Sequence, residues 1–339
     1  MNKLLNINTE KRMPIYLQIV DSITDAIRRG NYKKGERIYS INELSNEYFL
    51  ARDTVQKAYN ILHNKGVITS VKGKGYYIKD TNVHANFKVL LLFNKISTYK
   101  KQVYNAFIQT LGERAMVDIK IHHFNTVIFK RLIADNLADY DYFVIMPHFY
   151  DDPDEALRVI KTIPSEKLII LDKDIPYTDL KCAGVYQDFQ NDIVYALEQG
   201  LDLLSKYKKL FLVYPKMVGY CPEIKIGFRK FCMQYDFKFE ILPEINDQTA
   251  IEANDAYIVI EESDLCQLIK KTRINKLRIG RNLGIISYND SPLKEILLDG
   301  ITVISTDHSK MGETAAHLIL DNSKDKIKKP FVLTRRKSL

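Results

Sequence analysis

Val71-Lys72-Gly73-Lys74-Gly75-Tyr76-Tyr77-Ile78-Lys79 (VKGKGYYIK) sets two glycines between lysines, ahead of a short aromatic run. A loop of this composition can cradle a nucleotide phosphate or meet a nucleic acid, and its neighbours decide between the two. A nucleotide-type loop needs a strand before it and a helix after it. Here Gly66-Val67-Ile68-Thr69 precedes and Tyr76-Tyr77-Ile78 follows, so the stretch is expected to be the turn of a β-hairpin.

The residues upstream place that hairpin after three helices. Ile15, Ile19, Ile23 and Ile27 recur every four positions behind Pro14, a helix-opening residue, and Gly30 should end the segment. Ser40-Ile41-Asn42-Glu43 has the S-x-x-E form of a capping box, which starts a short second helix near Ile41 that ends by Phe49. A third helix is expected from about Arg52 to Asn64, with Val55, Tyr59 and Leu62 facing inward. Helix, helix, helix and hairpin together make a winged helix-turn-helix, assigned to residues 1–80.

Charge singles out the same segment. Residues 1–80 hold 14 Lys and Arg against 8 Asp and Glu, and so carry most of the net charge of +8. A basic module on a nearly neutral body is the pattern of a polyanion binder. Arg52, Thr54, Gln56 and Lys57 cluster at the start of the third helix. Arginine and glutamine can bond base edges in pairs, and Thr54 suits a phosphate. Lys72, Lys74 and the Gly73 and Gly75 backbone suit the wing to a nucleic-acid backbone or minor groove.

From Phe87 onward, short apolar runs alternate with helical segments: Val89–Phe93, Ile119–Phe124, Phe143–Met146, Leu168–Leu171, Leu210–Tyr214, Phe237–Ile241, Tyr257–Ile260, Gly284–Ser287 and Ile301–Ile304. That alternation predicts parallel sheets covered by helices, the α/β class. At 339 residues the chain exceeds one ordinary core, and the body is expected to form two similar lobes. Thr81–Asn86 reads as a short polar linker, and Lys324–Lys329 as a basic loop.

Other classes are disfavoured. The apolar run VLLLF is far shorter than the ~20 residues that span a bilayer, and Met1–Arg12 has no apolar centre like that of a signal peptide. Cys182, Cys221, Cys232 and Cys266 follow neither a disulfide nor a metal-ligand spacing. A cytoplasmic protein without metal, cofactor, catalytic residues or membrane contact is expected.

The N-terminal motifs resemble the GntR family of bacterial regulators. Its P-x-Y-x-Q-I opening stands here as Pro14-Ile15-Tyr16-Leu17-Gln18-Ile19, its recognition helix as Arg52-Asp53-Thr54-Val55-Gln56-Lys57-Ala58, and its wing as Gly73-Lys74-Gly75-Tyr76-Tyr77-Ile78. The resemblance implies DNA contacts from Ser40, Asn42 and Tyr76 as well. Asn42 replaces an arginine of the family's L-P-S-x-R-x-L element, and Ala51 replaces a capping serine, a loss typically worth ~1 kcal/mol.

The remainder, residues 87–339, resembles the ligand-sensing domain of the LacI/GalR family, itself similar to type I periplasmic binding proteins. Gly284-Ile285-Ile286-Ser287-Tyr288-Asn289-Asp290, Ile301-Thr302-Val303-Ile304, Met311-Gly312-Glu313-Thr314-Ala315 and Arg335-Arg336-Lys337-Ser338 carry it. A GntR head on such a body is similar to bacterial arabinose repressors. The order implies lobe 1 at about 87–173 and 288–318, and lobe 2 at about 174–287 and 319–339.

A two-lobed sensor binds its ligand at the carboxyl ends of its strands. Those ends offer Lys95, Tyr99, His148, Asp172, Lys216, Tyr220 and Asn289 as effector-binding candidates. Asn289 stands at the family's aspartate position and can donate as well as accept. The expected protein is a transcriptional regulator, a repressor, acting as a homodimer on a palindromic double-stranded operator and controlled by a small molecule, most simply a neutral sugar. A nucleobase or phosphosugar effector is the alternative, followed by a pyridoxal-phosphate enzyme body on the same head.

Overall fold

A computed structural model describes residues 14–28, 30–81, 87–175, 179–216 and 219–339. The chain forms two compact units, residues 1–87 and 88–339. Apart from Thr81, the expected linker lies outside the described residues.

In the first unit, helix α1 (Ile15–Arg28) leads to strand β1 (Arg37–Ile38), helices α2 (Ile41–Tyr48) and α3 (Arg52–Asn64), and strands β2 (Ile68–Val71) and β3 (Gly75–Ile78). The expected capping box forms at Ser40 and Glu43, and Glu43 also takes Arg37 through both carboxylate oxygens, at 2.9 and 3.1 Å. Ile19, Ile23, Ile27, Leu44, Val55, Tyr59, Leu62 and Ile78 close one buried core. The hairpin is part of a three-stranded antiparallel sheet of order β1-β3-β2. Gly73 and Gly75 have φ of 76° and 107°, conformations that glycine enters without steric cost. Local signals fix the boundaries of α2 and of the hairpin, which is why the sequence pattern predicts them well.

The second unit begins with β4 (Phe87–Phe93), α4 (Thr98–Leu111), β5 (Ala115–Ile121), α5 (Thr126–Asn136), β6 (Tyr142–Ile145), α6 (Pro153–Ile160), β7 (Leu168–Lys173) and β8 (Ala183–Gln187). It continues with α7 (Phe189–Glu198), α8 (Leu201–Leu204), β9 (Lys209–Val213), α9 (Glu223–Gln234), β10 (Lys238–Leu242), β11 (Asp255–Val259), α10 (Glu262–Ile274) and β12 (Leu283–Tyr288). Helix α11 (Pro292–Ile296), β13 (Thr302–Thr306), α12 (His308–Leu320), β14 (Lys326–Lys328) and β15 (Phe331–Thr334) complete it.

These strands form two six-stranded sheets, β14-β8-β7-β6-β4-β5 and β10-β9-β11-β12-β13-β15. The described pairings are parallel except β13 with β15. The chain therefore passes between lobes after β8, after β13 and after β14. This corrects the lobe boundaries: Ala183–Gln187 and Lys326–Lys328 belong with the first lobe, and 288–306 with the second. Strand β8 pairs with β7, and β13 pairs with β12. The expected basic loop at 324–329 likewise contains a strand, because Lys326–Lys328 pairs with β8.

Helix α12 returns to the first lobe and packs on α4. At Gly312 an added Cβ would stand 2.2 Å from the Val103 carbonyl oxygen, so the two helices approach at a distance only glycine allows. Gly312→Ala gains about 1 kcal/mol of helix propensity, yet overpacking against backbone costs about 1–3 kcal/mol. A lower urea midpoint for the body's unfolding is the expected result, with an unchanged or higher midpoint counting against the contact.

Candidate functional site

The first unit presents the start of α3 together with the turn between β2 and β3. Ala51 occupies the N-cap of α3 without a side-chain hydrogen bond, which leaves first-turn amides for an outside acceptor. Arg52 is exposed, while Thr54 and Gln56 are half-buried. Gln56 Nε2 donates to Asn60 Oδ1 at 2.9 Å, and the Lys57 ammonium lies 3.9 Å from the Tyr16 ring centroid. Lys72, Gly73 and Lys74 are exposed at the wing tip.

Two expected contact residues are occupied internally. Ser40 Oγ accepts from the Glu43 amide at 3.2 Å, and the Tyr76 ring packs edge-on against Tyr59 at 4.8 Å. Tyr59 OH in turn donates to the Tyr39 carbonyl at 2.6 Å, so Tyr76 and Tyr59 fasten the wing to α3. Asn42 is exposed in the first turn of α2.

In the second unit, the carboxyl ends of the two sheets meet around a small cavity of about 20 Å3. Lys95, Tyr99, His148, Asp172, Tyr220 and Asn289 all line it, with Asn94, Gln187, Phe189, Cys221 and Tyr288. Lys216 does not reach it. That lysine lines an adjoining open groove of about 940 Å3 with Tyr150, Tyr214, Lys225 and Arg229.

Asp172 is the electrostatic centre of the cavity. Its Oδ2 meets His148 Nε2 at 2.9 Å, and its Oδ1 accepts from Gln187 Nε2 at 2.6 Å. Burial acts to raise its pKa, but His148, Lys100 and His308 outweigh burial and hold the carboxyl below its ordinary range. With Asp172 ionised, His148 donates from Nε2 and leaves Nδ1 to accept. Burial lowers the His148 pKa despite this partner.

Nearby, His308 stacks on Tyr99 at 4.7 Å and meets Asn289 Oδ1 at 3.1 Å. Burial holds His308 down to about 4, so it is neutral near pH 7. The Lys100 ammonium, with 1 % of the residue exposed, has no hydrogen-bond partner among the described residues, and burial lowers it to about 7.

Contacts between lobes close the cavity. Lys95 Nζ reaches Glu261 Oε1 at 3.3 Å and Tyr220 OH at 3.1 Å, and Tyr220 OH donates to the same carboxylate. Lys173 pairs with Glu223 at 2.9 Å, and Cys221 Sγ lies 3.4 Å from His148 Nδ1. Sequence reasoning missed Gln187, Cys221, Glu261, Tyr288 and His308. Glu261 follows β11 and obeys the same strand-end rule as the others, whereas Gln187 ends a strand too weakly apolar to be seen.

Comparison with known proteins agrees with this division. The description "Bacterial regulatory proteins, gntR family" matches residues 15–78, and "Periplasmic binding protein-like domain" matches residues 208–338. The HTH-type transcriptional repressor YtrA of Bacillus subtilis is 30% identical over 100 residues, covering 30% of this chain and 73% of that protein. The arabinose metabolism transcriptional repressor of Geobacillus stearothermophilus is 33% identical over 69 residues, 20% of this chain and 19% of its own length. The mannosyl-D-glycerate system repressor MngR of Escherichia coli is 32% identical over 82 residues, 24% of this chain and 34% of its own. The chain thus spans most of the first relative, about a third of MngR and about a fifth of the arabinose repressor.

Among solved structures, the trehalose repressor from Escherichia coli superposes with a TM-score of 0.61 at 14% identity, covering 74% of this chain and 100% of that one. The lac repressor dimer bound to operator and an anti-inducer gives 0.60 at 14% identity, covering 75% and 94%. No helix among the described residues is long and apolar enough to cross a membrane. With its winged helix-turn-helix and its two-lobed, LacI-like body, the chain belongs to the gntR family of bacterial regulatory proteins and is a DNA-binding transcriptional regulator.

Proposed function

We propose that this regulator is a repressor whose operator binding responds to a neutral, polyhydroxylated effector, a sugar, held between the two lobes of its body. The observation that carries this reading is a set of buried polar atoms without hydrogen-bond partners among the described residues. Asn94 Oδ1, Gln187 Oε1 and the Tyr288 hydroxyl belong to cavity-lining residues, and the unpaired His308 Nδ1 stands behind Tyr99 and Asn289. Each such atom left unsatisfied costs about 1–3 kcal/mol. Hydroxyl groups, which donate and accept, are the ligand chemistry that satisfies a mixed set of this kind.

Charge supports neutrality. Asp172 is matched by His148 and Gln187, and Lys95 by Glu261, so the fixed charges in the cavity are spoken for. Tyr99, Tyr220 and Tyr288 supply ring surface for an apolar sugar face. A cavity of about 20 Å3 holds no more than a water. The effector therefore enters a more open form, and the Lys95–Glu261 and Lys173–Glu223 pairs part and reform around it.

A phosphosugar is the second reading, favoured by Lys216, Lys225 and Arg229 around the adjoining groove. A thermal-shift panel of pentoses, hexoses, sugar phosphates and purines on the full chain separates the two. A neutral sugar at about 100 times its Kd should stabilise the body by about 2.7 kcal/mol. Stabilisation by phosphates or purines alone would replace this reading.

For DNA, we place Arg52, Thr54 and Gln56 of α3 toward the major groove and Lys72 and Lys74 against the backbone, in a homodimer on a palindromic operator. Lys74→Ala should weaken binding to all duplexes alike and reduce the slope of log affinity against log salt by about 1. Unchanged low-salt affinity would remove the wing from the interface. Asn289→Ala should leave operator binding intact and abolish its response to the effector, measured by gel shift. A normal response would take Asn289 out of the site.

A further inference from the structure

Cys221, His148 and Asp172 form a continuous chain across the cavity: Sγ to Nδ1 at 3.4 Å, then Nε2 to the carboxylate at 2.9 Å. All three residues line the cavity, and none is more than 4 % exposed. The arrangement is that of a thiol, a base and an orienting acid, in which the third group fixes the tautomer of the second. Gln187 fixes the third, through its bond to Asp172 Oδ1.

The parts come from different lobes. His148 follows β6 and Asp172 lies in β7, whereas Cys221 stands just ahead of α9 in the second lobe. The triad therefore exists only where the two lobes meet. Tyr150 OH also approaches the sulfur, at 4.0 Å.

We propose that the Cys221–His148–Asp172 triad captures a carbonyl-bearing effector covalently and reversibly, as a hemithioacetal. The inference rests on the reading of this cleft as the effector site. Sulfur adds to an aldehyde carbon, so an S–C bond forms as the C=O π bond breaks. The thiol proton passes to His148 Nδ1 and from there to the carbonyl oxygen, which becomes a hydroxyl. Asp172 stabilises the transient imidazolium at Nε2. No oxidant, leaving group or water is required, and the reverse path returns the aldehyde and the thiol.

Resting protonation fits this sequence. Burial raises the Cys221 pKa and lowers that of His148, so the pair rests as S–H donating to a neutral imidazole. Proton transfer then accompanies attack. The N-terminal end of α9 beside Cys221 favours the negative charge that develops on the sulfur and oxygen as they react. Aldoses in open-chain form present the required aldehyde, and sugar alcohols do not, which makes the chemistry selective among ligands of similar hydroxyl pattern.

The test uses the full chain with glyceraldehyde labelled with carbon-13 at C1, followed by carbon NMR. The wild type should give a sulfur-bonded C1 resonance that Cys221→Ser lacks; any contribution from the exposed Cys266 is common to both. His148→Gln should form the adduct at least tenfold more slowly, the loss expected for a proton-transfer group. Identical spectra for wild type and Cys221→Ser overturn covalent capture. Thermal shifts with xylitol keep the two readings apart: stabilisation of both proteins by xylitol, with no adduct from glyceraldehyde, defeats capture alone. Failure of every polyol to stabilise defeats the cleft reading as well.

Discussion

A carboxylate cannot be buried alone, and the interior of the body is arranged around that constraint at Asp172. With 3 % of its surface exposed, it would face a desolvation penalty of several kcal/mol without compensation. His148 and Gln187 supply hydrogen bonds, while Lys100 supplies a favourable field. Each partner arrives on a different element: His148 after β6, Gln187 at the end of β8 and Lys100 in α4. Satisfying one charge therefore fixes three segments relative to one another.

The same constraint accounts for the unusual backbone there. Asp172 has φ of 74° and Asn289 φ of 61°, in the left-handed region that aspartate and asparagine tolerate better than most residues. Strain of about 1–3 kcal/mol per residue persists only where surroundings over-determine the conformation. At Asp172 the carboxylate bonds do so, and at Asn289 the contacts are its amide to the Ile304 carbonyl at 2.9 Å and its side chain to His308.

Legibility in the sequence followed the range of the interactions involved. The head is written in short-range signals: the Ser40–Glu43 cap, the four-residue isoleucine spacing and the glycines of the wing all act within a few residues. Only β1 escaped, because two residues carry no period. In the body the apolar strands were legible, but the lobe boundaries were not. Strand β8 (AGVYQ) and β14 (KIK) lack a strong apolar run and gain their identity from pairing partners, with Gly184 packed 3.2 Å from the Ile170 carbonyl at the position of an added Cβ. The strand-end rule gathered six of its seven effector candidates at one cavity and put Lys216 in the neighbouring groove. It had no means to find Cys221 beside His148, 73 residues apart in sequence, and although it reaches Glu261 it does not pair that residue with Lys95, 166 apart.

Those long-range contacts set how firmly the lobes are held together. Lys95 and Glu261 keep 19% and 29% of their side chains exposed, and Lys173 and Glu223 keep 25% and 35%. Ion pairs with that much solvent access contribute only ~0.2–1 kcal/mol each. Against them stand the Asn94, Gln187, Tyr288 and His308 atoms that have no partner among the described residues, each of which opening would return to water. Closed and open arrangements are thus separated by a few kcal/mol, with the polar penalty offsetting the ion pairs. A ligand around which the lobes close satisfies those atoms and lets the pairs reform. Its preference for the closed form then needs to be about 5.5 kcal/mol to carry the population from one per cent to ninety-nine, an amount that three or four newly satisfied buried polar atoms supply.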